Sequence, residues 1–325
     1  MTRRVTVWRI VYQMKDATNT NGETMAFDEL ALRLSDVVAI PVTPFGEDGT
    51  IQPDVYGRLV DRLVAAGVGV VTPNGNTGEF YALDEAETRV CLEATVKAAQ
   101  GRASVLAGVG HDVATAVRAA EHARETGAEM IMIHQPAHPY VSARGWLGYH
   151  RAIADAVPEL GVVLYLRTPS IEGADIAALA DTSPNVIGVK YAVADPVRFA
   201  SVARDAGLRR FTWIAGLAEL SAPGYFAVGA TGFTSGLVTV APELSLGMHR
   251  ALAGGDFAAA MGVWERIRPF EEMRAAASSA NNVSVVKEAL AQLGLCRADV
   301  REPCSAVDED DRARIARLLA SWQLT

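Results

Sequence analysis

Between Val37 and Ala253, short apolar runs alternate with segments of helical periodicity, and this alternation narrows the fold more than any other feature of the chain. The apolar runs are Val37–Val42, Val68–Thr72, Ser104–Ala107, Met130–Ile133, Val162–Tyr165, Val186–Lys190, Phe211–Ala215 and Gly229–Phe233. The helical segments are Pro53–Ala66, Asp84–Gln100, Asp112–Thr126, Trp146–Ala156, Ile171–Asp181, Pro196–Asp205, Ala218–Phe226 and Pro242–Ala253. Pro53 in a first turn, and Gly67 and Gly127 just past two helix ends, mark boundaries where they belong. About eight such units in about 215 residues is near the size of a closed parallel barrel, whose strands are buried on both faces. An open, doubly wound sheet is disfavoured because no G-x-G-x-x-G follows the first run. The expectation is therefore α/β, a (β/α)8 TIM barrel over residues 25–255. Residues 256–325 form a C-terminal helical cap with helices at Phe257–Ala277, Asn282–Leu293 and Asp310–Trp322, and residues 1–24 a loosely held extension.

Half of the 325 residues are hydrophobic, enough for one large core. The formal charge of -8, with no basic cluster, argues against a nucleic-acid partner, so an anionic substrate must be held by local donors. Cys91, Cys296 and Cys304 are an odd number without C-x-x-C spacing, which fits a reducing compartment and a cytoplasmic protein. The first two dozen residues have no long apolar stretch, so neither a signal peptide nor a membrane span is expected there, and Met25 is a candidate natural start.

In a closed parallel barrel the chemistry gathers where the strands end. The sixth run, Asn185-Val186-Ile187-Gly188-Val189-Lys190, ends on a lysine. Burial there favours the neutral amine, the form that attacks a carbonyl to give a Schiff base, although a lone strand-end lysine most often snorkels to water. After the second run, the two glycines of Gly75-Asn76-Thr77-Gly78-Glu79-Phe80 allow backbone N–H groups to converge on an anion, or simply make a tight turn. The loop after the fourth run carries His134, His138 and Tyr140. Tyr140 is a candidate proton shuttle, and the histidines are candidate ligands, but the loop's prolines disfavour a metal because an i, i+4 pair converges only on a helix. Arg167, after the fifth run, is either a cation at the same rim or a surface residue.

Taken together, the Gly75–Glu79 loop, the Pro139-Tyr140 step and Gly188-Val189-Lys190 resemble the dihydrodipicolinate synthase and N-acetylneuraminate lyase family, each element falling after the strand where that family has it. Pro41-Val42-Thr43-Pro44-Phe45 and Ala230–Gly236 are similar to it as well, and the likeness spans about Val37 to Leu295. The resemblance implies a class I lyase in which Lys190 forms an imine with a 2-oxo acid and Tyr140 moves the proton. It places the substrate carboxylate on Asn76, Thr77 and Gly78, with Ser235 of the eighth element also in the site. It implies no metal and no organic cofactor, because the protonated imine is the electron sink, and an assembly of four chains as a dimer of dimers.

Three departures shape the substrate expectation. Asn76 stands where the synthases carry a hydroxyl, so it can donate but cannot relay a proton as a hydroxyl does. Tyr140 is followed by Val141-Ser142-Ala143-Arg144, so only Arg144 could replace the usual basic residue, and Tyr165 is followed by Leu166 and Arg167 rather than asparagine. Leu106-Ala107-Gly108-Val109-Gly110 and the glycine loop look more like the 5-dehydro-4-deoxyglucarate dehydratase branch. A sugar-acid-derived 2-oxo acid is the favoured substrate. The alternatives are a true synthase condensing pyruvate with aspartate semialdehyde, a zinc-dependent aldolase, and a non-catalytic 2-oxo acid binding barrel.

Overall fold

The computed structural model describes residues 22–324. Eight parallel strands close into a barrel in sequence order: β1 Val37–Ala39, β2 Val70–Val71, β3 Ser104–Val109, β4 Met130–Ile133, β5 Gly161–Leu166, β6 Val186–Tyr191, β7 Thr212–Ala215 and β8 Gly232–Ser235. Helix α1 (Gly22–Arg33) precedes them, and α2 (Pro53–Ala65), α3 (Glu85–Ala99), α4 (Val113–Thr126), α5 (Ala143–Ala156), α6 (Gly173–Thr182), α7 (Pro196–Ala206), α8 (Ala218–Phe226) and α9 (Pro242–Ala253) alternate with them. The cap consists of α10 (Phe257–Ser279), α11 (Ser284–Gln292) and α12 (Glu309–Ser321). The expected (β/α)8 TIM barrel with C-terminal helices is the fold observed. Of the extension expected over residues 1–24, only the last three residues lie within the described chain, where they begin α1.

Local chemistry sets the helix ends. Asp84 and Glu87 form a reciprocal capping box at α3, Asp112 accepts from Thr115 N–H at α4, and Asp195 caps α7 ahead of Pro196. The eighth strand starts later than its apolar run suggests. Gly229 takes φ +126° and Ala230 N–H donates back to Tyr225, so these residues finish the turn after α8 and pairing with β1 begins only near Phe233. This places Ser235 on the strand, opposite Ala39.

Two apolar layers hold the barrel. The inner one packs Val38, Val70, Leu106, Met130, Met132, Val163, Tyr165, Ile187 and Ile214 with Leu34, and Phe27 and Leu30 of α1 lie against it. Thr212 Oγ1 donates to Ala31 O at 2.6 Å, fixing that helix to the barrel. The outer layer lies between strands and helices and includes Val162, Leu164, Val186, Val189 and Tyr191.

A register shift in β6 matters for the site. Val162 pairs with Val186 but Val163 pairs with Gly188, leaving Ile187 without a partner of its own. Strict alternation from inward-facing Ile187 would turn Val189 and Tyr191 inward and Lys190 out. The bulge inserts one residue and changes the phase, so Gly188 and Lys190 join the inner set while Val189 and Tyr191 lie outside. Lys190 consequently stands opposite Tyr165.

Candidate active site

The barrel mouth opens into a cavity of about 340 Å³ whose walls include Asn76, Thr77, Tyr165, Arg167, Lys190, Ser235 and, from the cap, Arg274. Lys190 is 2% exposed, and its Nζ lies 4.0 Å from the centre of the Tyr165 ring. Burial, reinforced by the Arg167 charge, brings its pKa down to about 7, so much of the amine is unprotonated at neutral pH. Tyr165 is buried in turn, and that burial pushes its phenol up to about 12. Asn76 Nδ2 donates to the Tyr165 hydroxyl at 3.1 Å, crossing the mouth from the β2 loop to β5. The phenol thereby receives a hydrogen bond while its own proton stays available, and the buried Oδ1 of Asn76 has no protein partner.

The loop that carries Asn76 and Thr77 is fixed from several sides. Its first bend is at Asn74, with φ 59°, whose carbonyl accepts from His134 Nε2 at 2.8 Å and whose Nδ2 donates to Thr88 O at 2.9 Å. Gly108 lets this bend approach β3, since a Cβ there would lie 2.2 Å from Asn74 O. His134 is wholly buried and stacked on Phe80 at 4.1 Å, and desolvation takes its pKa down to about 3, so it serves this loop as a neutral ring. At the other end of the loop, buried Glu79 forms an ion pair with Lys287 of α11 at 2.5 Å and accepts from Arg301 N–H at 2.8 Å. The cap is thus bonded directly to the loop.

The remaining residues expected at the site divide. Gly78 sits behind the loop, its carbonyl accepting from Thr43 Oγ1 at 2.7 Å. Arg167 lines the cavity and, among the described residues, has no carboxylate within ion-pair distance. Ser235 lines it too, with its hydroxyl engaged by Glu219. Tyr140 and Arg144 are not brought to this cavity: Tyr140 is 86% exposed beside His138, and Arg144 is exposed in the first turn of α5. His134 and His138 do not converge, because His134 bonds Asn74 while His138 Nδ1 accepts from Tyr140 N–H at 3.1 Å.

Three polar residues at this site are absent from the expectations drawn from the sequence. Arg274 and Glu271, from α10, pair at 2.6 Å, both almost fully buried, and Arg274 also donates to Asn282 Oδ1 at 2.8 Å. The guanidinium lies over Gly236, where a Cβ would come within 2.7 Å of it and 3.0 Å of the Thr77 methyl group. Glu219 of α8 is the third, and it had a sequence signal, being the only charge in the apolar stretch Phe211–Gly229. Its Oε1 accepts from both Ser235 and Ser245, its Oε2 is buried without a partner, and burial next to Glu271 raises its pKa to about 7.

The sequence profile of the Dihydrodipicolinate synthetase family matches residues 33–321. A 4-hydroxy-tetrahydrodipicolinate synthase from Phenylobacterium zucineum is 34% identical over 84% of this chain and 92% of its own length. A "Probable 5-dehydro-4-deoxyglucarate dehydratase 1" from Streptomyces coelicolor is 32% identical over 91% of this chain and 96% of its own. The crystal structure of dihydrodipicolinate synthase from Bacillus clausii superposes with a TM-score of 0.86 at 40% identity, covering 90% of this chain and 99% of that one. The chain belongs to the dihydrodipicolinate synthetase family and is a class I lyase.

Proposed function

We propose that this lyase forms an imine between Lys190 and the carbonyl of a 2-oxo acid derived from a sugar acid, and eliminates the hydroxyl at the fourth carbon. The observation that carries this reading is the buried Lys190 amine, with its pKa brought down to about 7, set against the Tyr165 phenol in a cavity that also holds Arg167 and the Asn76–Thr77 loop. Lys190 adds to the carbonyl to give a carbinolamine, and Tyr165 gives its proton to the departing oxygen, which leaves as water. The resulting phenolate is stabilised by the iminium it faces and by the Asn76 N–H. It then takes a proton from the third carbon, restoring the phenol and leaving a neutral enamine that can expel the hydroxyl. Thr77 and Asn76 receive the carboxylate next to the imine, and Arg167, which has no carboxylate partner among the described residues, receives a distal anionic group.

The family resemblance to synthases as well as dehydratases supports a second reading on the same imine, condensation of pyruvate with an aldehyde. Borohydride reduction in the presence of a panel of 2-oxo acids tests the common step. One adduct per chain at Lys190 is expected, and an adduct at Lys97 or Lys287, or none with any 2-oxo acid, overturns the mechanism. Comparing specificity constants for deoxy-2-oxo sugar acids and for pyruvate with aspartate semialdehyde then separates the readings. A tenfold preference for the semialdehyde reaction, about 1.4 kcal/mol in the transition state, replaces the first with the second.

A further inference from the structure

The elimination proposed above needs a proton for the departing hydroxyl. Tyr165 has regained its proton from the third carbon by then, but it stands beside Lys190 at the imine end of the cavity, so a separate donor on another wall is the one to look for. On the β8 wall of the same cavity, Ser235 is backed by the wholly buried Glu219. From this geometry we infer that Glu219 stores a proton and delivers it through the Ser235 hydroxyl to the leaving oxygen.

Hydrogen-bond capacity supports the assignment. A serine hydroxyl donates once and accepts twice. Ser235 Oγ already accepts from Val238 N–H at 2.8 Å. When Glu219 is ionised, Ser235 donates to Oε1 and offers no proton to the cavity. When Glu219 is protonated, the acid donates to the second lone pair of Ser235, and the serine proton is free to point at a ligand. The proton on Glu219 therefore decides which way the hydroxyl faces. Side-chain surroundings favour the protonated form. The charged groups facing Glu219 are Glu271 and Arg274, both from α10, while β8 and α9 supply only the Ser235 and Ser245 hydroxyls. Arg274 is bonded to Glu271, so one cation serves two buried carboxyls. The unpartnered Oε2 fits a neutral acid better than an anion, because a buried carboxylate oxygen without a donor is the costlier of the two. Its pKa near 7 makes the store usable in the neutral range.

The step balances. The enamine nitrogen pair re-forms the iminium, the bond between the fourth carbon and its oxygen breaks, and that oxygen takes the Ser235 proton to leave as water. Ser235 takes the Glu219 proton, so the site holds an iminium cation and a Glu219 carboxylate. Hydrolysis of the iminium by one water releases the carbonyl product, the Lys190 amine and one proton, which returns to Glu219.

A purely structural Glu219 makes a different prediction. Gln would satisfy Ser235 and Ser245 equally well through its carbonyl oxygen. The test rests on the proposed elimination and uses two probes, a deoxy-2-oxo sugar acid with a hydroxyl at its fourth carbon and its counterpart with fluorine there, since fluoride leaves without a proton. Glu219→Gln should keep the borohydride adduct at Lys190 and lose two to three orders of magnitude in turnover of the hydroxyl probe, within the range for a proton-transfer group. It should turn over the fluoro probe within a few fold of wild type. The wild-type decline in turnover as pH rises through about 7 should disappear in Glu219→Gln and persist in Glu219→Asp. Should Glu219→Gln fail to fold and give no adduct, Ser235→Ala is put through the same pair of probes with the same expectation. Equal losses on both probes, or a pH limb unchanged in Glu219→Gln, overturn the inference. A wild-type enzyme that gives the adduct but eliminates neither probe overturns the proposed dehydration and this role together, whereas elimination by wild type with an unimpaired Glu219→Gln overturns this role alone.

Discussion

Lys190 and Tyr165 are cross-strand partners between β6 and β5, and the amine nitrogen stands 4.0 Å from the centre of the tyrosine ring because the bulge at Ile187 turns Lys190 to the inside of the barrel, where regular alternation along β5 already places Tyr165. One consequence is thermodynamic. Burial holds the Lys190 pKa near 7 against an ordinary value of 10.5, so between these values the unfolded chain binds a proton that the folded chain does not. Stability therefore rises with pH across that window.

Lys190→Met should be inactive and more stable than wild type. Below about pH 7 both states of the wild-type lysine are protonated and the burial cost is felt in full, and above 10.5 neither is and the cost is gone. The gain in unfolding free energy, followed by thermal unfolding, should thus be largest at pH 6, on the order of a few kcal/mol, and vanish towards pH 11. A stability difference independent of pH would refute the assignment of a low pKa to this amine.

Tyr165→Phe removes only the hydroxyl that Asn76 contacts. Turnover should fall by about two to four orders of magnitude, the range for acid–base catalysis, with the Lys190 adduct still formed. Tyr140→Phe should cost less than Tyr165→Phe in the same assay, since Tyr140 is 86% exposed and outside the cavity of its own chain. The reverse order of losses would return the proton-transfer role to Tyr140.

The alternation of apolar runs and helices revealed the barrel because each parallel strand is buried on both faces and needs a crossover helix. A lysine closing the sixth run was visible for the same reason. Its partner was not. Period-two reading from Ile187 turns Lys190 outward, and only the extra residue in β6 makes it face Tyr165. Tyr140 was the more conspicuous tyrosine in sequence, whereas Tyr165 looked like the last apolar residue of a strand. Arg274 and Glu271 were hidden differently: among the charges of a long cap helix, nothing local distinguishes the two that fold back over the barrel from those in water.

The Glu79–Lys287 pair couples the cap to the substrate loop. Both side chains are almost without exposure, and Lys287 also donates to Asp299 O at 2.6 Å. Lys287→Met leaves a carboxylate buried beside Arg301 N–H without its cation, which should lower stability by about 3–5 kcal/mol. KM should rise with it, because Glu79 is three residues from Asn76. Adding Glu79→Gln to Lys287→Met removes the orphaned charge and should recover most of the stability in thermal unfolding. A double variant no more stable than Lys287→Met would show that the loss comes from packing instead.

Arg167 carries two effects that a single substitution separates. Its charge is the second cause, after burial, of the low Lys190 pKa, since a neighbouring cation disfavours protonation. In Arg167→Gln that cause is removed, so the pH midpoint for borohydride trapping at Lys190 should move up, and trapping at pH 7 should slow while trapping at pH 9 stays near wild type. Independently, an exposed arginine at the cavity wall with no carboxylate partner among the described residues is placed to receive a second anionic group of the substrate. KM for a 2-oxo acid bearing a distal carboxylate should therefore rise by about tenfold or more, about 1.4 kcal/mol, even at pH 9, where Lys190 is unprotonated in both proteins. KM for pyruvate at pH 9 should change little. A rise shared by both substrates at that pH would place Arg167 on the carboxylate beside the imine and leave the distal end of the substrate to another group.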